Sequence, residues 1–237
     1  MALRVTVYVF YGLAQIVLLF PRLSRLQCDS RVQAWAGGIL KRLKIDLALV
    51  GTPAPNGPML MVSNHVSWLD IVALHAICPC RFVAKADVAR WPVLGTMASG
   101  AGTLYVKRES RSDAKRTLHR MAQALRDGDI LAVFPEGTTG DGSSVLPFHP
   151  SLLQAAIDTG APVQPVALKI VENHSGRFSQ AVTYMGDESL LGSLWRTFRA
   201  RDLRVVVEFG APQLNEGRGR HAWAHDLRRE IAAMREA

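Results

Sequence analysis

His65 and Asp70 stand five positions apart in the stretch "SNHVSWLD", residues 63–70. An imidazole and a carboxylate can form a proton-transfer pair. The carboxylate accepts a hydrogen bond from one ring nitrogen, which fixes the tautomer and stabilises the imidazolium. The other nitrogen is then free to take a proton from a hydroxyl. An ordinary imidazole, with a pKa of about 6.5, suits that task near neutral pH. Spacing alone is weak evidence, because His221 and Asp226 in "HAWAHD" share the same separation. On a continuous helix, five residues turn two side chains about 140° apart. That second pair lies in a charged C-terminal stretch and reads as a solvated helix face. His65 differs because it follows the apolar run "MLMVS". It is expected just past a strand end, with Asp70 in the first turns of a following helix, where the carboxylate can return to the ring.

Two later stretches have site-like composition. "GTLYVKR", residues 102–108, puts Lys107 and Arg108 between a strand and a helix. Two cations there can hold an anion, and an ordinary surface pair would look the same. In "FPEGTTGDG", residues 134–142, Glu136 and Gly137 open a loop after an apolar strand. Gly137 permits close backbone approach to a ligand, and Thr138 and Thr139 add hydroxyls. Each stretch alone is a weak signal. Ser67, beside His65, lacks the G-x-S-x-G surround of a nucleophile elbow and reads as a helix cap.

The elements that must position these residues follow from the hydrophobic pattern. Seven apolar runs begin at Ile45, Met59, Arg81, Thr103, Ile130, Val163 and Leu203. Helical stretches lie among them near 67–77, 112–127, 150–159 and 220–236. In the second of these, Ser112 is the expected cap, and Ala114, Leu118, Met121 and Leu125 are the expected buried face. The alternation implies an α/β domain over residues 45–237, with a largely parallel mixed sheet flanked by helices. Continuous apolar runs fit strands buried on both faces. "GTPAPNGP", residues 51–58, is a turn-rich connection within that domain.

Residues 1–44 read as a separate membrane-associated element of two helices. Residues 5–20 carry no charge. As a helix they span about 24 Å, a little short of a hydrocarbon core of about 30 Å. Next come Val32, Trp35, Ala36, Ile39, Leu40 and Leu43 at helical spacing, with Arg31, Lys41, Arg42 and Lys44 mostly off that stripe. A basic amphipathic helix with a Trp suits the plane of a membrane interface. The excess of Lys and Arg after the first segment would keep the body of the protein on the cytoplasmic side of the membrane.

The chain of 237 residues has a formal net charge of +8, which favours anionic partners without choosing among them. No nucleic-acid-binding motif is present, and nucleic acid is not an expected partner. Cys28, Cys78 and Cys80 show neither a disulfide framework nor metal-type spacing. No metal or bound cofactor is called for.

Taken in order, the three stretches and "VQPVAL" resemble the glycerolipid acyltransferase family typified by 1-acyl-glycerol-3-phosphate acyltransferases. "NHVSWLD" is similar to its N-H-x-S-x-x-D block, "GTLYVKR" to its second block, "FPEGT" to its E-G-T block, and Pro165 to the Pro of its fourth. The resemblance covers about residues 45–210. It implies transfer of a fatty acyl group from acyl-CoA or acyl carrier protein to a lysolipid hydroxyl, at a membrane. It assigns His65 as general base and Asp70 as its orienting partner. Arg108 would contact the acceptor headgroup, and Glu136 with Gly137 would shape the acceptor site. The family block commonly continues with an Arg associated with phosphate, and here Thr139 stands in that position. Lys107 can compensate, which leaves lysophosphatidate as an acceptor. A lysolipid without a phosphomonoester, such as lyso-ornithine lipid, is the alternative.

Overall fold

The computed structural model describes residues 2–106, 110–183 and 190–236. Two helices, α1 (Ala2–Leu18) and α2 (Arg25–Leu43), precede β1 (Ile45–Val50) and β2 (Met59–Ser63). Then come α3 (Trp68–Ile77), β3 (Arg81–Lys85), α4 (Leu94–Gly100), β4 (Leu104–Val106), α5 (Arg111–Arg126) and β5 (Ile130–Val133). The chain continues through α6 (Gln154–Thr159), β6 (Val163–Glu172), α7 (Leu190–Arg199), β7 (Leu203–Phe209) and α8 (Arg220–Glu236).

The strands form one seven-stranded sheet in the order β1-β7-β6-β2-β5-β3-β4. Every neighbouring pair is parallel except β6 with β7, so the sheet is mixed as the pattern implied. The central strands explain the unbroken apolar runs: β2 and β5 are buried at every residue. β1 is buried only at Ile45 and open or half-open beyond it, as an edge strand can be. One face of the sheet packs under α2 and α3, through residues such as Leu40, Leu69 and Leu74. The other packs under α5, α6 and α8, through Met121, Ala156 and Trp223.

Three local expectations are corrected. The apolar stripe of α2 faces its own domain: Ala36, Ile39, Leu40 and Leu43 are buried, the last three in the core beneath α3. Most of the exposed apolar surface belongs to α1 instead, at Leu3, Val7, Phe10, Tyr11, Val17 and Leu18, with Leu26 exposed at the start of α2. With the 3₁₀ turn after it, residues Ala2–Arg22 are long and apolar enough to cross a membrane. The two helices meet closely because of two glycines. A Cβ at Gly12 would lie 2.3 Å from the Trp35 ring, and one at Gly38 would lie 2.1 Å from the Tyr8 hydroxyl. Trp35 Nε1 donates to the Tyr8 carbonyl at 3.1 Å.

The cap of α5 is Ser110, whose hydroxyl accepts from Asp113 N, and not Ser112. Of the expected buried face, Ala114 is exposed and Leu118 only half-buried, while Met121 and Leu125 are fully buried. The stretch 150–159 begins as a 3₁₀ turn, Pro150–Leu153, before α6.

Candidate active site

β2 ends at Ser63, and the next two residues are held from both sides. The buried Asn64 side chain donates to the Leu168 carbonyl at 2.9 Å and accepts from Leu168 N at 2.8 Å. It thereby continues the β2–β6 pairing by one step through a side chain. His65 is clamped through its backbone. Its N–H donates to Glu136 Oε1 at 3.0 Å, and its carbonyl accepts from Gly140 N at 2.8 Å. The loop after β5 is therefore bonded directly to the residue after β2. That contact joins the first and third motif stretches, as their positions at adjacent parallel strand ends allow.

The His65 ring lies flat on Phe134, with centroids 3.9 Å apart and planes 8° apart. Its Nδ1 stands 2.8 Å from Asp70 Oδ2. Nε2 has no hydrogen-bond partner among the described residues, and 16% of the side-chain surface is open. Asp70 is wholly buried. Oδ2 also accepts from Val66 N at 2.7 Å and Ser67 N at 2.8 Å. Ser67 in turn accepts from Leu69 N, which makes it the expected N-cap of α3 and completes a capping box with Asp70. One carboxylate thus starts a helix and orients an imidazole. Oδ2 thus gathers two backbone N–H groups and the His65 ring nitrogen at one buried point, which fixes the orientation of the imidazole.

Glu136 is buried and accepts at both oxygens, with Oε2 receiving Leu146 N at 3.3 Å. Burial pushes its carboxyl up to about 7. Bonds from His65 and Leu146 and the charge of Arg235 pull the other way, and Asp70 adds to the rise. The loop is tied from α8 as well. Arg228 Nε donates to the Val145 carbonyl at 2.9 Å, and Arg235 donates to the Gly142 carbonyl. Gly137 takes a positive φ of 73° at the turn after Glu136, a conformation that glycine adopts without strain. Thr138 is exposed and Thr139 half-buried on the same loop. Lys107 and Arg108 lie outside the described residues. The control pair is not joined: Asp226 engages Arg218 and Arg229, and His221 is exposed.

The residues that tie this site together from outside the motif stretches are Arg228 and Arg235. Phe134 opened a site stretch without being given a role, and the arginines were visible only as charges on a terminal helix. The arrangement sets an imidazole against a buried carboxylate just past a strand end, with the loop after β5 bonded beside it. That combination can remove a proton from a hydroxyl.

Over residues 47–169 the chain matches the Acyltransferase family, and it belongs to that family: it is an acyltransferase. It is 40% identical over 174 residues to a 1-acyl-sn-glycerol-3-phosphate acyltransferase of Neisseria meningitidis serogroup B, which covers 73% of this chain and 67% of that protein. It is 36% identical over 197 residues to a lyso-ornithine lipid O-acyltransferase of Pseudomonas aeruginosa, covering 83% of this chain and 75% of that one. Its fold matches the crystal structure of PlsC, the 1-acyl-sn-glycerophosphate acyltransferase of Thermotoga maritima. The TM-score is 0.71 over 99% of this chain and 94% of that one, at 18% identity.

Proposed function

We propose that this acyltransferase moves a fatty acyl group from acyl-CoA or acyl carrier protein to the free hydroxyl of 1-acyl-sn-glycerol 3-phosphate, giving phosphatidate. The observation that carries the mechanism is the 2.8 Å contact between His65 Nδ1 and Asp70 Oδ2, with no partner for Nε2 among the described residues and 16% of the side chain open. The acceptor hydroxyl gives its proton to Nε2 as its oxygen attacks the thioester carbonyl. The tetrahedral intermediate then collapses, the carbon–sulfur bond breaks, and the imidazolium returns the proton to the thiolate. No acyl-enzyme is needed, and Ser67 is committed to its helix cap. Lys107 and Arg108 supply the charge for the acceptor phosphate, while Glu136, Gly137, Thr138 and Thr139 shape the wall beside it. The reaction takes place on the cytoplasmic face of the inner membrane, with α1 in the lipid.

A second acceptor, lyso-ornithine lipid, is favoured by one observation. Thr139 is neutral where the family block commonly places an Arg, and charge-assisted contacts are the stronger ones. The Pseudomonas aeruginosa relative carries that name.

A product assay tests both readings. Detergent-solubilised protein receives labelled long-chain acyl-CoA with either lysophosphatidate or lyso-ornithine lipid, beside His65→Ala. Phosphatidate from the wild type alone is the expected result. Label in the ornithine lipid alone would keep the mechanism and replace the acceptor. Label in neither, with an acyl carrier protein donor also silent, would overturn the proposal.

A further inference from the structure

Helix α7 packs in an unusual sense. Its buried positions include Ser193 and Thr197, at 0% and 1% exposure, while Trp195 is 54% exposed. Leu194 and Phe198 are only half covered. The Arg199 guanidinium sits 5.2 Å over the Trp195 ring, and Arg201 follows in the open. A bare indole flanked by arginines is poorly placed in water and well placed at a membrane–water boundary. There the ring takes the headgroup level and the cations meet phosphates.

The register of the sheet shows where this helix stands. Ser63 pairs with Val166, and β6 continues to Glu172, six residues or roughly 20 Å further. Glu172 pairs with Leu203, and Leu203 with Ile45. The end of α7 and the end of α2 therefore sit on neighbouring strands, at the sheet end that carries His65. Lys41, Arg42 and Lys44 are exposed there. Arg42 lies over the Tyr8 ring at 3.4 Å, so the N-terminal half of α1, with Leu3 and Val7 exposed, runs alongside.

We propose that α7 is a second membrane contact. Trp195 enters the headgroup boundary of an anionic bilayer, Arg199 and Arg201 engage lipid phosphates, and α7 with α1 forms one lipid-facing rim above His65. An acidic carrier protein would satisfy the same arginines. It gives no reason for the indole to stand half bare at the same sheet end as the apolar surface of α1, and this continuity favours lipid. The inference rests on the membrane reading of α1 and is independent of which acceptor is acylated.

The test uses the full chain with a bimane probe introduced through Trp195→Cys, and in a parallel preparation through Val7→Cys. The unsubstituted chain corrects for Cys28, since Cys78 and Cys80 are buried. Vesicles of phosphatidylglycerol and phosphatidylethanolamine, and of phosphatidylcholine alone, carry doxyl lipids labelled near the headgroup. Quenching and a blue shift at both positions in the anionic vesicles are expected. Arg199→Ala and Arg201→Ala should each lower partition into anionic vesicles roughly five-fold, and leave phosphatidylcholine binding unchanged. Quenching at position 7 without quenching at 195 would overturn the proposal. So would a probe at 195 that responds to acyl carrier protein and not to vesicles. No quenching at either position would overturn it together with the membrane reading of α1, whereas acyl transfer is assayed separately and tests only the reaction.

Discussion

Asp70→Asn separates the two tasks of one carboxylate. Oδ2 accepts from His65 Nδ1, Val66 N and Ser67 N at 2.7–2.8 Å. Hydrogen bonds to a charged group contribute about 1.5–3 kcal/mol and neutral ones about 0.5–1.5, so three bonds that lose the charge lose about 3 kcal/mol. Oδ1 is buried with no partner among the described residues. The amide NH2 must occupy that place, and an unsatisfied buried donor costs a further ~1–3 kcal/mol. The sum of about 4–6 kcal/mol lowers Tm by roughly 8–24 °C for a chain of this size. The fold survives at low temperature, since domains hold about 5–15 kcal/mol. Asp70→Ala is the poorer choice, because it strands the Val66 and Ser67 N–H groups in a cavity. The kinetic effect should exceed what partial unfolding explains. Loss of the counter-charge behind a general base costs about 10²–10⁴ in kcat. Initial rates at saturating donor and acceptor, taken at 15 °C beside a far-UV circular dichroism melt, read both quantities. A variant that melts early yet turns over within three-fold of wild type would reduce Asp70 to a helix cap and refute the orienting role.

Two further outcomes are expected at the loop. Glu136 titrates near 7 when folded, against about 4.5 for an ordinary side chain. The folded state therefore binds more protons in that window. The stability it contributes is complete below about 4.5 and is lost as pH rises through about 7. Glu136→Gln removes this slope, so its Tm deficit relative to wild type should shrink from pH 5 to pH 8. Its kcat should fall about 10–100-fold through displacement of His65. An unchanged deficit across that range would show that the carboxyl does not titrate there. Arg235→Ala frees the Gly142 carbonyl and should raise the acceptor KM several-fold, with the donor KM nearly constant and Arg235→Lys partly restoring it. Equal changes in both KM values would assign Arg235 to stability alone.

The strands were legible because parallel central strands are buried on both faces, and Met59–Ser63 and Ile130–Val133 announce that with unbroken apolar runs. The geometry around His65 was legible because a capping carboxylate three residues after Ser67 has only a short way back to the preceding strand end. Helix α4 left little trace: it has seven residues, comes shortly after Pro92, and is preceded by Val93 at a φ of 65°. The stripe on α2 was visible, yet its direction was not. An apolar stripe looks the same whether it meets lipid or β1 and α3, and only tertiary contacts decide. The ties from Arg228 and Arg235 to the loop span 83 and 93 residues, a separation at which no local pattern carries information.

The glycine contacts at Gly12 and Gly38 make the N-terminal pair one stiff unit, and Ile39, Leu40 and Leu43 root that unit in the core. Only the short turn around Pro21 joins α1 to α2, and there is no slack linker between the apolar helix and the sheet. An α1 embedded in lipid therefore sets the tilt of the whole domain, as a keel sets the attitude of a hull. The mouth beside His65 is presented at one fixed angle and height. Bilayer thickness then becomes a variable of the reaction. A thicker or thinner membrane would raise or lower His65 relative to the hydroxyl it is proposed to deprotonate, without changing any residue at the site.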